Sequence, residues 1–205
     1  MRYKLYFDGS CKYKNDGSCD AGMGVVILDS KNNIVYEQGW NIPAYDRKGN
    51  IGILSNNVAE YQALFRGLDV LSVKRPDGIS ELRIYGDSKL VIEQVSLNWK
   101  VKAEHLKKYR DECSAQIRLY EKEGCKVSLE WIPREQNKLA DRLAQDAADG
   151  MERHSNQLHG ETDKEIQPVH GHYDENPKGY LLNQLNWSCV KTHQTTDNFA
   201  SRSSS

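Results

Sequence analysis

Hydrophobic residues in the first 150 positions recur with two alternating periods, and the alternation predicts the elements of a fold. At the start, Met1, Tyr3, Leu5 and Phe7 share one face of an extended chain, and Arg2, Lys4 and Tyr6 share the other. That period of two predicts a strand over 1–8. Similar runs at 22–28 and 34–41 flank the turn cluster DSKNN (29–33), so three strands in an antiparallel meander are expected. After a loop over 42–56, with Pro43 and Gly49, the period changes. Val58, Tyr61, Leu64, Phe65, Leu68 and Leu71 fall at helical spacing. ELRIYG (81–86) predicts a fourth strand and SKLVIEQV (88–95) a short helix. Leu106, Tyr109, Cys113, Ile117 and Tyr120 predict a longer helix. VSLEW (127–131) predicts a fifth strand, and Leu139, Leu143 and Ala147 a last helix. The order β-β-β-α-β-α-α-β-α implies an α/β fold, a five-stranded mixed sheet of antiparallel meander plus parallel strands, flanked by helices.

The pattern lapses near residue 150. Positions 151–205 carry five of the six histidines (154, 159, 170, 172 and 193) and end in SRSSS. The apolar patch GYLLNQLNW (179–187) is expected to form a short helix. The chain therefore divides into a folded domain over 1–150 and a polar, His-rich, largely flexible tail over 151–205. Composition narrows the class further. A net charge of −1 gives no global attraction to a polyanion, so any nucleic-acid contact must come from a local basic face. Apolar runs are too short to span a membrane, and strand-like sequence from residue 1 leaves no room for a signal peptide. Five cysteines, an odd number with no CxxC pair, predict free thiols in a reducing compartment. A soluble, cytoplasmic monomer is expected.

Four acids stand at positions that matter for chemistry. Asp8 and Asp87 end the first and fourth strands, Glu60 opens the first long helix, and Asp141 lies in the last helix. Each has an ordinary explanation. Asp8-Gly9 can make a turn, Asn57 and Glu60 a capping box, and Asp87 a cap for the helix at Ser88; Asp141 can be one more exposed helix acid. Together they imply more. If the first and fourth strands run parallel and adjacent, YFDGS and IYGDS place two carboxylates at the same edge of the sheet, where ligand sites gather. Clustered carboxylates repel unless a cation neutralises them, and hard oxygen donors suit Mg²⁺ or Mn²⁺.

YFDGSC, SNNVAEYQAL, IYGDSKLV and NKLADRLA, in that order over residues 1 to about 148, resemble the four acidic motifs of type 1 ribonuclease H. The resemblance implies the ribonuclease H-like fold and hydrolysis of the RNA strand of an RNA–DNA hybrid by two divalent ions. It implies that Asp8, Glu60, Asp87 and Asp141 are the catalytic, metal-binding acids, with Asp8 bridging the ions. Choosing RNA over DNA needs contact with the 2′-OH. Ser55, Asn56 and Asn57 match the family's substrate-contacting segment, and Gly9, Ser10, Cys11 and Ser88 lie beside the acids. In NWKVKAEHLKKYR (98–110), Trp99, Lys100 and Lys102 are candidates for packing on a sugar and meeting DNA phosphates; the alternative is a solvated helix face with Trp99 in the core.

The sequence also departs from better-known members of that family. A short link at 96–105 replaces a longer basic segment, and IPREQNK (132–138) replaces a His-containing glycine-rich loop, as in a compact archaeal and plant-like branch. Arg134, Glu135, Gln136 or a tail histidine are candidates for the missing role, and His170 with His172 is a candidate metal pair. No separate hybrid-binding domain is expected ahead of Asp8. The expected work is removal of primer and R-loop RNA, with double-stranded RNA as a second candidate substrate. Two alternatives share the fold, a non-catalytic nucleic-acid-binding module and a DNA-cleaving nuclease.

Overall fold

The first strand outruns its alternation. In the computed structural model, which describes residues 1–15, 18–43, 54–74, 78–151 and 154–156, β1 spans Arg2–Tyr13. Beyond Asp8 it goes on pairing with β2 (Cys19–Leu28) in an antiparallel hairpin, down to Tyr13↔Cys19. Asp8 therefore lies in mid-strand, opposite Gly24, rather than at the strand's end. The alternation stops at Asp8 because Gly9, Ser10 and Lys12 carry no apolar signal; the ladder to β2 holds them extended regardless. What does end is the parallel ladder from β1 to β4 (Glu81–Gly86), whose last pair is Phe7↔Gly86.

β3 (Ile34–Ile42) continues the meander antiparallel to β2, and β5 (Lys126–Trp131) runs parallel to β4. The five expected strands lie in the order β5-β4-β1-β2-β3. A short β6 (His154–Asn156), unexpected from the sequence pattern, adds antiparallel to the β3 edge, beyond the boundary expected at 150. The chain divides into a unit over Met1–Gly160 and a second over Glu161–Ser205. The segment GYLLNQLNW and histidines 159, 170, 172 and 193 lie outside the described residues.

α1 (Asn56–Lys74), α2 (Lys89–Val95) and α3 (Glu104–Lys122) gather on one face of the sheet, and α4 (Lys138–Ala148) lies on the other. Strand alternation decides the division. Leu5, Phe7, Val25, Ile27, Leu82 and Ile84 point into one core with Val58, Tyr61, Leu64 and Leu68 of α1. Tyr6 and Val26 point the other way, toward Ala140 and Leu143 of α4. Each large side chain in the core contributes about 1.5–3 kcal/mol by leaving water. Buried phenols bind the helices together. The Tyr61 hydroxyl donates to Gln94 Oε1 (2.5 Å), and the Tyr120 hydroxyl donates to the Leu68 carbonyl (2.7 Å).

On the far face the sheet is lined with glycine. A Cβ at Gly24 would stand 2.1 Å from the Ala140 carbonyl oxygen, and one at Gly22 would stand 2.2 Å from that of Ala144. A Cβ at Gly39 would stand 2.5 Å from the Leu143 carbonyl oxygen, so α4 packs backbone to backbone against β2 and β3. Among the described residues no helix is long and apolar enough to cross a membrane.

The cysteines depart from expectation. Cys11 and Cys19 are joined in a disulfide across the β1–β2 hairpin, with Cα atoms 6.1 Å apart. Reading β1 as ending at residue 8 concealed this, because the two residues become cross-strand neighbours only when the hairpin extends past Asp8. Cys113 and Cys125 are free and buried, and burial pushes both thiols above their ordinary pKa.

Candidate metal centre

Three of the four acids converge. A carboxylate oxygen of Asp8, of Glu60 and of Asp87 all lie within 4.8 Å of one another. Each arrives on a different element. Asp8 is the first residue of β1 past the ladder with β4, and Asp87 immediately follows β4. Glu60 lies in the second turn of α1, which reaches β1 because Gly9 has no side chain. A Cβ at position 9 would stand 2.2 Å from the Glu60 nitrogen and 2.3 Å from the Ala59 carbonyl carbon.

The ordinary explanations for these acids do not hold. Ser55, not Asn57, caps α1: its Oγ accepts the Val58 N–H at 3.3 Å. Glu60 is not half of a capping box, since its carboxylate accepts the Gly9 N–H instead. Asp87 does not cap α2, where Ser88 occupies the cap position without a side-chain bond; Asp87 Oδ1 accepts from Asn137 Nδ2 at 3.1 Å.

The cluster is held at an electrostatic cost. Burial, then repulsion from Asp87 and Asp141, push the Asp8 carboxyl up to about 9, with the Arg134 guanidinium pulling the other way. Glu60 is likewise pushed well above the usual carboxylate range, by burial and then by Asp8 and Asp87. Glu60 Oε2 is buried with no hydrogen-bond partner. Three carboxylates this close, one of them with a buried oxygen that has no hydrogen-bond partner, fit a divalent cation of the Mg²⁺ or Mn²⁺ kind.

The raised pKa values set a pH dependence. Between about 4 and about 9 the folded metal-free protein retains a proton on Asp8 that the unfolded chain has released, so stability falls as pH rises through that window. Thermal unfolding in chelator at pH 5, 7 and 9 is expected to show this decline, with a shallower slope in Asp8→Asn.

Asp141 stands just outside the cluster. Its Oδ1 accepts from Arg134 Nη2 at 2.5 Å and from Gln145 Nε2 at 2.8 Å. Arg134 belongs to the 3₁₀ turn Arg134–Gln136 inside IPREQNK, so the loop that lacks a histidine brings a guanidinium to the fourth acid.

Asn137 is a site residue that the sequence reading missed. It is buried at the start of α4, and its Nδ2 donates to the Phe7 carbonyl (2.9 Å) as well as to Asp87. One side chain thus ties together β1, the end of β4 and α4. Its position four residues before Asp141, just ahead of a helix, was the available signal, but helix caps explain such an Asn equally well. Trp131 was missed too. At the end of β5 its indole N–H donates to the Asp87 carbonyl (2.9 Å), and the ring remains 45% exposed. Asn137→Ala is expected to lower activity by about 10–100-fold, as the loss of a group orienting a metal ligand does, with little change in α-helical circular dichroism.

The expected substrate residues take different places in the fold. Gly9 and Ser10 follow Asp8 along β1, and Cys11 is engaged in its disulfide. Asn56, exposed, and Asn57, half-buried, form the first turn of α1. Trp99, Lys100 and Lys102 lie on the α2–α3 connection, outside the carboxylate cluster. Trp99 is 46% exposed rather than tucked into the core.

A mixed sheet of this order, with two carboxylates where the parallel β1–β4 ladder ends and a third from α1, defines the ribonuclease H class of α/β proteins. Comparison with known proteins agrees. A family profile described as reverse transcriptase-like matches residues 6–147. The bifunctional protein Rv2228c of Mycobacterium tuberculosis is 39% identical over 129 residues, 63% of this chain, and the match spans 31% of that longer relative. The RNase H1 of Halobacterium salinarum superposes with a TM-score of 0.59 at 29% identity, over 73% of this chain and 99% of that one. LC11-RNase H1, solved in complex with an RNA/DNA hybrid, is 33% identical with a TM-score of 0.57, over 73% of this chain and 98% of that one. The chain belongs to the type 1 ribonuclease H family.

Proposed function

We propose that this protein is a metal-dependent endoribonuclease that hydrolyses the RNA strand of RNA–DNA hybrids, using two Mg²⁺ or Mn²⁺ ions. The observation that carries the proposal is the convergence of Asp8, Glu60 and Asp87, together with the buried, unpartnered Oε2 of Glu60. The hybrid bound to the LC11 relative supports the choice of substrate. Asp8, Glu60 and Asp87 would hold the ions, and Asp141 would complete the set once it exchanges its bond to Arg134. When bound, such ions lower the pKa of a water and stabilise charge on the leaving oxygen.

The remaining steps belong to the chain's own residues. Gly9 N–H orients Glu60, while Asn137 and Trp131 fix Asp87 through its side chain and main chain. Ser55, Asn56 and Asn57, at the start of α1, face the ribose with short polar groups. Ser10 and Ser88 flank the acids. Trp99, Lys100 and Lys102 take the DNA strand, the indole against a sugar and the ammonium groups against phosphates. Arg134 holds Asp141 and lowers the charge of the cluster between turnovers. Removal of primer and R-loop RNA follows from that specificity.

The test is cleavage of labelled RNA–DNA hybrid, double-stranded RNA and double-stranded DNA, with Mg²⁺, with Mn²⁺ and with EDTA. Hybrid cleavage that stops in EDTA is the expected result. Cleavage that persists in EDTA contradicts the metal requirement, and preferential cutting of double-stranded DNA contradicts the ribonuclease assignment.

A further inference from the structure

Past Phe7, β1 has a strand on one side only. The ladder to β4 ends at Phe7↔Gly86, whereas the ladder to β2 runs on to Tyr13↔Cys19. The free-standing part of β1 holds Asp8, Gly9, Ser10 and Cys11, and Cys11 is bonded to Cys19 across the hairpin. The two cysteines pack in a small cluster with Ala21, Ile42, Leu54 and Ala59. Ala59 precedes Glu60, and Leu54 precedes the Ser55 cap of α1. The bond therefore ties β1 to β2 where the catalytic hairpin packs against the helix end that supplies Glu60.

The two cysteines are unequally exposed. Cys11 is partly exposed, whereas Cys19 is 8% exposed. The two free thiols of known environment, Cys113 and Cys125, are buried and carry no such access.

We propose that Cys11 and Cys19 form a thiol–disulfide exchange site whose partner is a low-molecular-weight disulfide of the glutathione class, and that the oxidised form locks the catalytic hairpin in its working geometry. The Cys11 thiolate attacks the external disulfide, forms a mixed disulfide and expels one thiol. The Cys19 thiolate then attacks Cys11 Sγ in that mixed disulfide and expels the second thiol. The protein loses two electrons and two protons, and the external disulfide is reduced to two thiols. Reduction by the same class of thiol reverses both steps. The effect on cleavage rests on the nuclease reading given above; the chemistry of the pair does not.

The experiment equilibrates the full chain with oxidised glutathione or with dithiothreitol, then alkylates it under denaturing conditions and weighs it. Cys11 and Cys19 are expected to escape alkylation after oxidation and all five cysteines to alkylate after reduction, with the positions read by peptide mapping. On reduction, amides of β1 residues 9–13 are expected to exchange faster, the thermal midpoint to fall by roughly 5–10 °C, and kcat/KM on hybrid to fall several-fold. Cys19→Ala is expected to match the reduced wild type in amide exchange, thermal midpoint and kcat/KM after either treatment. Five alkylated cysteines in both states overturn the proposal. So does an opened bond with unchanged amide exchange, or with unchanged kcat/KM. A chain that cleaves no hybrid in either state refutes the nuclease reading instead, and alkylation with amide exchange then decides the lock alone.

Discussion

Asp8→Asn is expected to lower hybrid cleavage by about 10³-fold or more, a loss of about 4 kcal/mol of transition-state stabilisation, while the protein remains folded. The argument rests on the position of this carboxylate. Asp8 is buried, lies with Glu60 and Asp87 inside one 4.8 Å group, and is the acid on which the others' repulsion falls. An amide of nearly the same shape retains the packing but removes a negative charge from the group, and it is a far poorer ligand for a hard cation. The same change removes the cost of holding a proton on this carboxyl in the metal-free state, so the variant's melting temperature in chelator at neutral pH should equal or exceed that of the wild type. Gel-based cleavage assays and melting curves read the two effects separately. Near wild-type turnover in Asp8→Asn would sink the mechanism.

Gly24→Val is expected to destabilise the fold by at least about 3 kcal/mol, seen as a fall of about 10 °C in thermal midpoint, and to reduce soluble yield. The new Cβ would meet the Ala140 carbonyl at 2.1 Å and the Ala144 nitrogen at 2.7 Å. Both are helix backbone atoms that cannot rotate away, so α4 as a whole must move off the sheet. Because α4 carries Asp141 and begins at Asn137, cleavage should fall even in whatever fraction remains folded. A fully stable, fully active Gly24→Val protein would show that α4 does not depend on this close approach.

Much of the fold was legible because its signal is local. The period of two in Tyr3, Leu5 and Phe7, and the helical spacing from Val58 to Leu71, both record which side of one element is buried. Asp8, Glu60 and Asp87 were legible as a group because parallel, adjacent first and fourth strands would bring two of them to one edge. The hairpin beyond Asp8 was not, since its residues have no apolar alternation and only pairing with β2 keeps them extended. The Cys11–Cys19 bond was hidden with it. β6 was hidden because three polar residues carry no strand pattern, and they add to the sheet only where the β3 edge stands open. Asn137 escaped for another reason. Its importance lies in bonds to Phe7, 130 residues away, and to Asp87, 50 residues away, and no local pattern encodes contacts at that range.

The departure of β1 from β4 after Phe7 makes a fork in the sheet, with Asp8 and Asp87 the first residues on its two arms. A fork leaves the carbonyl at its crotch without a ladder partner, and a buried orphan there would cost about 1–3 kcal/mol. The Asn137 amide fills that place by donating to the Phe7 carbonyl, as the next residue of a longer β4 would have done. Its donation to Asp87 grips the second arm as well. A single carboxamide thus replaces a length of strand, and the wedge can stay open at the width its ligands need without the sheet zipping shut behind them.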